Sequence, residues 1–260
     1  MEITDQKIYN SNLLKGTGLI QETLALLEAY KPDESSLAFQ KRVVSTGILS
    51  KSTDNRVVDI VRNVFTDRYL GYEIEVPVFI KRMRDNYVSI DVITQLFFLY
   101  TCRANPILGD FVKEVYYPLK SKSFAKLKST DPKDFIREAL SDGRIPNSWS
   151  ESTINKVSEH IIASLIDFKL IEKDKTILPY RVIDLAANYL LHELHFRGFS
   201  DNEIWKHTDW ELFGLDPNGV IEIMQRLSFY GSFIFQFSGE ILKLSWKNLS
   251  MEEFISNECR

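Results

Sequence analysis

The sequence predicts a mainly α-helical protein of two domains, with helix-turn-helix and winged-helix-like units and short β-hairpin wings in the C-terminal domain. Along most of the 260 residues, apolar side chains recur at the i, i+3, i+4, i+7 spacing of a helix with one buried stripe. Glycine, proline and capping residues divide this pattern into separate helices. Segments that favour β-strands occur at two places in the second half.

The N-terminal half reads as a series of helices. Lys31–Pro32 stops the first helix, Gly47 ends the second, and Ser50–Thr53 can cap the third. A helix, a short turn that contains glycine and a further helix outline a helix-turn-helix. The predicted helices of this half cover residues 19–29, 36–46, 54–69, 77–86, 90–103, 108–118 and 131–140.

The stretch from Ser150 to Ile183 predicts a helix followed by a two-stranded wing. The Ser150 hydroxyl can accept a hydrogen bond from an unpaired amide of the first turn, and apolar residues at 154, 157, 161, 162, 165 and 166 form one stripe. After Phe168 the pattern changes to two β-prone segments around the charged turn 172–175. This order is the outline of a winged helix.

The rest of the C-terminal half contains a second helix-plus-hairpin unit. Helices are predicted over residues 183–197, 201–207 and 218–230. The alternation of Phe233, Phe235 and Phe237, with a turn at Gly239–Glu240 and a partner strand over 241–246, predicts a β-hairpin. Residues 141–147 are the best linker candidate, so the predicted domains are 1–140 and 147–260.

Charge and cysteine content restrict the functional classes. The net charge of −4 argues against an indiscriminate polyanion binder, but residues 1–130 carry +3 and residues 131–260 carry −7. Phosphate contacts therefore favour the first half, and the second half would need a local basic patch. Cys102 and Cys259 lack metal-ligand spacing and predict reduced thiols in a cytoplasmic protein. We expect neither a signal peptide nor a membrane span.

No motif predicts catalysis, a metal or a cofactor. His192 and His195 stand three residues apart, whereas the metalloprotease pattern requires four, and no third ligand is evident. The loop Lys15–Gly18 is too short for a phosphate-binding P-loop. The aromatic residues Trp205, Trp210, Phe213 and Trp246 have acidic neighbours and predict core packing rather than base stacking. We therefore expect a protein that is not an enzyme.

Basic and small polar residues on the predicted helix faces are the candidates for DNA contact. Each charge also has a plain explanation as a solvated surface residue, and a winged helix can dock proteins instead of DNA. Lysines and arginines would hold phosphates, and short polar side chains at a helix N-terminus can reach phosphates or base edges. The candidates are Lys41, Arg42, Lys51, Ser52, Asn55, Arg56, Arg62, Lys81, Arg82, Arg84, Lys120, Lys122, Ser152, Thr153, Asn155, Lys156, Lys173 and Lys175.

Several segments together resemble one protein family. They are W-S-E-S-T at Trp149–Thr153, Y-L-L-H-E-L-H from Tyr189, G-F-S-D-N-E-I from Gly198, D-W-E-L-F-G-L from Asp209, I-L-K-L-S-W at Ile241–Trp246, S-M-E-E-F from Ser250, and S-S-L-A-F-Q-K-R-V-V-S-T-G-I-L in the N-terminal half. With these segments the chain resembles BrxA, a family of small accessory proteins of BREX bacteriophage-defence systems. The resemblance spans nearly the whole chain and is strongest over about 145–255. It provides no motif whose functional residues carry over one by one.

The resemblance implies a cytosolic bacterial protein without known enzyme chemistry. Such proteins are encoded beside a site-specific DNA methyltransferase, ATPases and a phosphatase-like component, and the family is linked to DNA binding and likened to RNA-binding antitermination proteins. We therefore expect a non-catalytic DNA-binding accessory component whose partners are double-stranded DNA and other BREX proteins. The alternatives are an adaptor that docks onto the methyltransferase or an ATPase, and an RNA-binding protein. Homo-oligomerisation stays open.

Overall fold

The computed structural model describes residues 8–51, 53–72, 74–122 and 125–259, and it confirms a mainly α-helical fold. Ser52 lies outside the described residues. The helices are α1 Ile20–Ala29, α2 Ser36–Thr46, α3 Asp54–Ile60 with its continuations Val61–Thr66 and Asp67–Tyr69, α4 Val76–Asp85, α5 Ile90–Ala104, α6 Pro106–Phe111 with its continuations Val112–Tyr116 and Tyr117–Lys120, α7 Asp131–Ser141, α8 Glu151–Asp167, α9 Asp184–Phe196, α10 Asp201–Trp205, α11 Pro217–Ser228 and α12 Met251–Glu258. Short 3₁₀ helices cover Asn12–Lys15 and Thr208–Phe213, and the strands are β1 Phe233–Ser238 and β2 Ile241–Trp246.

Side-chain caps explain why many of these helices begin where they do. Ser150 accepts a hydrogen bond from the Thr153 amide at 3.2 Å, as its position before the apolar stripe predicts. Gly47 ends α2 in the left-handed region, at φ 65°, which a glycine adopts without strain. The other N-caps of α-helices with this hydrogen bond are Ser35, Thr53, Ser200, Asp216 and Ser250.

The helices α3 and α6 each contain a π-helical segment, which no sequence pattern indicates. In α3 the segment is Val61–Thr66, and the Thr66 hydroxyl donates to the Val61 carbonyl five residues earlier, at 3.0 Å. The segment leaves the predicted limits of α3 unchanged, since the helical residues run without interruption from Asp54 to Tyr69.

The chain folds into two compact units, each assembled from separate stretches. Unit 1 comprises the described residues within Met1–Leu26, Ser35–Arg68 and Phe97–Tyr180, and unit 2 those within Leu27–Glu34, Tyr69–Leu96 and Arg181–Arg260. The predicted domains, 1–140 and 147–260, stay a prediction.

In unit 1, aromatic side chains from several helices fill the core. Phe98 of α5 packs against Phe168, just after α8, with ring centroids 5.5 Å apart, and Phe111 of α6 contacts Phe135 of α7 edge-on. The described N-terminal residues join this core, because Tyr9 is only 2% exposed and its hydroxyl donates to Asp110 at 2.8 Å. Tyr9 thus anchors the first described residues to the core of unit 1.

In unit 2, α9 is the central helix and packs against α10, α11 and α12. Every residue from Ala186 to Leu194 is buried, as expected for a helix covered on all sides. The hairpin pairs Phe233 with Trp246 and Ser238 with Ile241, which confirms the predicted strands. The helix α12 was not predicted; Met251, Phe254 and Ile255 form its buried face. None of the helices in the described ranges is long and apolar enough to cross a membrane.

Candidate nucleic-acid interface

A short ribbon follows α8, at the place where the sequence predicts a wing. The Leu178 amide donates to the Leu170 carbonyl and the Glu172 amide to the Thr176 carbonyl, each at 2.9 Å. Lys175 adopts φ 70° and its amide donates to the Glu172 carbonyl at 2.8 Å, which closes the charged turn. The pairing is a single bridge, Ile171 to Ile177, and not a regular ladder.

A third segment, from the basic stretch 120–128, pairs with this ribbon. The Leu127 amide donates to the Lys175 carbonyl at 3.0 Å, and the Ile177 amide donates to the Ala125 carbonyl at 3.2 Å. The alternation of buried Leu127 with exposed Lys126 and Lys128 could have indicated this strand, although it is only a few residues long. We call residues 120–122, 125–128 and 170–178 the lysine ribbon.

Some lysines of the lysine ribbon have partners within the protein. Lys126 forms an ion pair with Asp174 at 2.8 Å, which holds the pKa of that carboxyl down at about 2. The Lys175 ammonium donates to the Ser129 hydroxyl. Lys120 donates to the Tyr180 carbonyl and lies over the Tyr117 ring. These contacts fix the ribbon to its own unit.

Other lysines of the ribbon extend into solvent. Lys122, Lys128 and Lys173 are exposed, and the side chains of Glu172 and Asp174 are the acidic groups of the turn. Since Asp174 already has its charge matched by Lys126, the ribbon presents an excess of positive charge. The structure thus brings Lys126 and Lys128 close to Lys173 and Lys175, although the two pairs lie about fifty residues apart in the sequence.

Of the candidates on α2 and near the start of α3, some are exposed and others contact a partner within the protein. Lys41 and Asn55 are exposed. Arg42 lies over the Phe39 ring with its Cζ 5.4 Å from the centroid, and Lys51 forms an ion pair with Glu22. Lys41 and Asn55 are therefore the two candidates of this group that are exposed to solvent.

Within α3, the two candidate arginines have different surroundings. The Arg56 guanidinium donates to the Lys15 carbonyl at 2.6 Å, so this residue ties α3 to the loop before α1. Arg62 is exposed and stands seven residues after Asn55, on the same face of the helix. Asp59 lies between them on that face and pairs with Lys15 at 3.3 Å.

The candidates on α4 form an ion-pair network inside unit 2. Glu28 accepts from Lys81 at 3.1 Å and from Arg84 at 2.7 Å, and Lys81 also pairs with Asp85 at 2.9 Å. Hydrogen bonds to Asp85 and then Glu28 raise the pKa of Lys81. Arg82 is exposed. Of the three basic candidates on α4, Lys81 and Arg84 are therefore paired with carboxylates within the unit.

The first turns of α8 carry the remaining candidates. The hydroxyls of Thr153 and Ser150 are 3.0 Å apart, so Thr153 takes part in the cap. Asn155 is half-buried, whereas Ser152 and Lys156 are exposed on the same face. Because α8 has 17 residues, its N-terminus and the lysine ribbon at its C-terminal end are separated by about 25 Å along the helix axis.

The residues that superficially suggest catalysis have structural roles. His192 is fully buried, stacks on Phe254 at 4.1 Å and meets Trp246 edge-on at 4.9 Å. His195 stacks on Trp246 at 4.2 Å. Across the described residues, no cluster of three histidines, cysteines or carboxylates has the geometry to hold a metal.

The predicted core aromatics are confirmed for three of the four residues. Trp205, Trp210 and Phe213 are 8%, 1% and 3% exposed, and the Trp210 indole donates to the Ile204 carbonyl at 2.7 Å. Trp246 is half-buried and packs between β1 and the two histidines of α9.

The Lys15–Gly18 loop is a packing site. The buried Arg68 guanidinium donates to the carbonyls of Gly16 and Thr17, both at 2.8 Å, and of Gly18 at 3.3 Å. The Asp167 carboxylate accepts from the Gly18 amide at 2.8 Å. A Cβ on Gly18 would meet the Asp167 Cβ at 2.5 Å, so glycine is needed for the close approach.

Comparisons with known proteins identify a family and a similar fold. A family model described as BrxA matches residues 7–193, so about half of the 145–255 stretch, where we expected the strongest resemblance, lies beyond the match. An uncharacterized protein from Magnetospirillum magneticum has a similar crystal structure, with a TM-score of 0.56 and 19% identity, over 73% of this chain and 95% of that chain. At this identity the likeness shows the fold alone. No curated protein matches the chain.

Proposed function

Because this chain belongs to the BrxA family and so has a role associated with BREX bacteriophage defence, we propose that it is a non-catalytic DNA-binding accessory component of such a system. The observation that carries the proposal is the lysine ribbon, where strand pairing gathers exposed lysines from two distant segments. A lysine ammonium is a compact, mobile point charge that suits a phosphate oxygen.

In this proposal, the lysine ribbon holds the DNA backbone. Lys122, Lys128 and Lys173 would each neutralise a phosphate and release its counterion, so that binding weakens as the salt concentration rises. Phosphate contacts position a protein on the duplex but carry no sequence information. We therefore expect modest sequence specificity from this surface.

The helix that precedes the ribbon provides a second contact, in the manner of a winged helix. Ser152 and Lys156 share an exposed face in the first turns of α8, where the helix dipole favours a phosphate. Since they lie roughly 17 to 23 Å from the C-terminal end of α8 along the axis, the two regions would contact separate parts of the duplex. Lys41, Asn55 and Arg62 are further exposed candidates in the same unit.

The combined substitution Lys122→Ala, Lys128→Ala and Lys173→Ala tests this function. We expect it to weaken binding to a labelled duplex by at least about tenfold at low salt and to reduce the slope of log Kd against log salt by about 2 to 3, since each lysine that contacts a phosphate contributes about one unit. Fluorescence anisotropy at several salt concentrations measures both quantities.

The matched control removes three exposed lysines from unit 2. Lys206→Ala, Lys243→Ala and Lys247→Ala change the net charge by the same amount, and we expect them to leave the salt slope unchanged. Equal losses in both triple variants would mean that only overall charge matters and would contradict a site at the ribbon. Competition with duplex RNA separates the RNA-binding alternative, because A-form grooves present different surfaces. A wild-type protein that binds no duplex at low salt would leave the adaptor role as the better account.

A further inference from the structure

Unit 2 contains a cavity of about 370 Å³ at the place where α9 begins and α11 and α12 end. This volume is at the lower end of the range for small-molecule sites. The cavity shares no residue with the lysine ribbon or with α8. Its lining residues are Asp184, Leu185 and Asn188 of α9, Leu227 of α11, Tyr230 just after α11, and Glu258, the last residue of α12.

Asn188 contributes a buried acceptor without a donor. Its side chain is only 4% exposed, and its Nδ2 donates to the hydroxyl of Ser232, a residue that does not line the cavity, at 3.1 Å. Its Oδ1 receives no hydrogen bond within the described residues. Buried carbonyl oxygens without a donor are rare because they are costly, so this atom indicates a missing donor. A ligand in the cavity that Asn188 lines can supply it.

Glu258 contributes a negative charge that the protein leaves unmatched. It is half-buried and has no ion-pair partner in the part of the chain that the structure describes. The other carboxylate of the cavity, Asp184, already accepts from Arg226 Nε at 3.2 Å and from the Tyr230 hydroxyl at 3.5 Å. The C-termini of α11 and α12 add the negative ends of two helix dipoles. The cavity therefore favours a cation.

The remaining wall of the cavity is apolar. Leu227 is 1% exposed, and Leu185 is half-buried. Tyr230 is 63% exposed, and with its hydroxyl directed to Asp184 its ring is available to a ligand. An aromatic ring can contact an alkyl chain and also attracts a cation through its face. This wall suits a ligand that joins a positive charge to a short hydrocarbon chain.

We propose that the cavity binds a small primary aliphatic amine. Its ammonium group, which has three donors and no acceptor, would donate to Asn188 Oδ1 and to the Glu258 carboxylate, while its alkyl chain contacts the apolar wall. An anion would be repelled by Glu258, and a neutral alcohol would leave its charge unmatched. Across the described residues, no group of three histidines, cysteines or carboxylates could hold a metal ion instead. The proposal does not depend on DNA binding.

The test titrates three ligands of equal chain length into the full-length protein without nucleic acid. Isothermal titration calorimetry compares 1-pentylamine with 1-pentanol, which has no charge, and with pentyltrimethylammonium, which keeps the charge but has no N–H donor. We expect saturable binding of 1-pentylamine at one site and binding of the other two that is at least about tenfold weaker, because each lacks one part of a charge-assisted hydrogen bond.

Two substitutions in the cavity and one matched control locate the site. Glu258→Gln removes the unmatched charge and should weaken 1-pentylamine binding at least about tenfold. Asn188→Leu replaces the acceptor with an apolar side chain of similar size and should weaken it about fivefold or more. Glu240→Gln removes the same charge as Glu258→Gln, but from the exposed hairpin turn, and should leave the affinity unchanged. Circular dichroism checks that each variant is folded.

Several results would overturn the proposal. A wild-type protein that takes up no 1-pentylamine would mean that water satisfies Asn188 Oδ1. Equal losses in the Glu258→Gln and Glu240→Gln variants would show that overall charge alone attracts the amine. Pentyltrimethylammonium that binds as tightly as 1-pentylamine would show that no N–H donor is recognised. A capped lysine, Nα-acetyl-lysine amide, that binds more tightly than 1-pentylamine would exclude a free amine as the ligand and assign the site to a lysine side chain of another protein.

Discussion

Replacing Arg68 with alanine is expected to lower the free energy of unfolding by about 3 to 5 kcal/mol, because a large buried side chain and its hydrogen bonds to three carbonyls are lost together. Arg68 is 2% exposed, and its guanidinium binds three successive carbonyls of the Lys15–Gly18 loop. Without it, these carbonyls lose charge-assisted hydrogen bonds, and a large cavity opens next to α3. Urea unfolding followed by circular dichroism measures the change.

The control for this prediction is Arg62→Ala. Arg62 lies on the same helix but is exposed, so its replacement should change the free energy of unfolding by less than about 0.5 kcal/mol. Arg68→Lys should recover little of the loss, because a single ammonium cannot reproduce the planar fork that contacts Gly16, Thr17 and Gly18. Equal stability of the Arg68→Ala variant and the wild-type protein would show that the loop is held by other contacts.

The Lys15–Gly18 loop also shows where sequence reasoning reaches its limit. The sequence suggested only that the loop is too short for a P-loop. Its role depends on Arg68, about fifty residues later, and on Asp167, which is 149 residues from Gly18. No local pattern links positions so far apart. The need for glycine at Gly18 follows from the approach of Asp167 and is visible only in three dimensions.

Elements whose signals are local were predicted well. The limits of α2 match the predicted 36–46 because Ser35 and Gly47 mark its ends, and the hairpin register follows from the alternation of Phe233, Phe235 and Phe237 around a glycine turn. The helix α12 was missed although Ser250 and Glu253 have the spacing of a capping box.

The candidate site was predicted only in part, because sequence shows which residues are basic but not which are already paired. Glu28 neutralises Arg84 from 56 residues away, and the Lys15 carbonyl engages Arg56 from 41 residues away. Conversely, the hydrogen bonds between residues 125–127 and residues 175–177 join the two lysine-containing segments of the lysine ribbon, which are far apart in the sequence. Contacts between distant residues thus pair some of the basic candidates within the protein and bring other lysines together.

Acid is expected to destabilise the protein through His192, even well above the pH at which carboxylates are protonated. Burial lowers the pKa of His192 to about 3, from the usual 6.5. Its Nδ1–H donates to the Asn188 carbonyl at 2.9 Å, and the Asn248 amide lies 3.5 Å from Nε2, so a proton on Nε2 would face another donor. The folded state therefore favours neutral His192.

The unfolded chain binds a proton at this histidine below pH 6.5, whereas the folded protein does so only near pH 3. The stability that neutral His192 contributes is present in full above pH 6.5 and is lost as the pH falls through this window, by up to about 1.4 kcal/mol per pH unit. Burial also lowers the pKa of His195, which contributes a further loss in the same direction.

The variant His192→Gln tests this pH dependence, because glutamine keeps a donor and an acceptor but cannot take up the proton. Urea unfolding at several pH values between 5 and 7.5 should therefore show a smaller acid loss in the variant than in the wild-type protein. Parallel curves for the two proteins would mean that His192 is not the group that titrates.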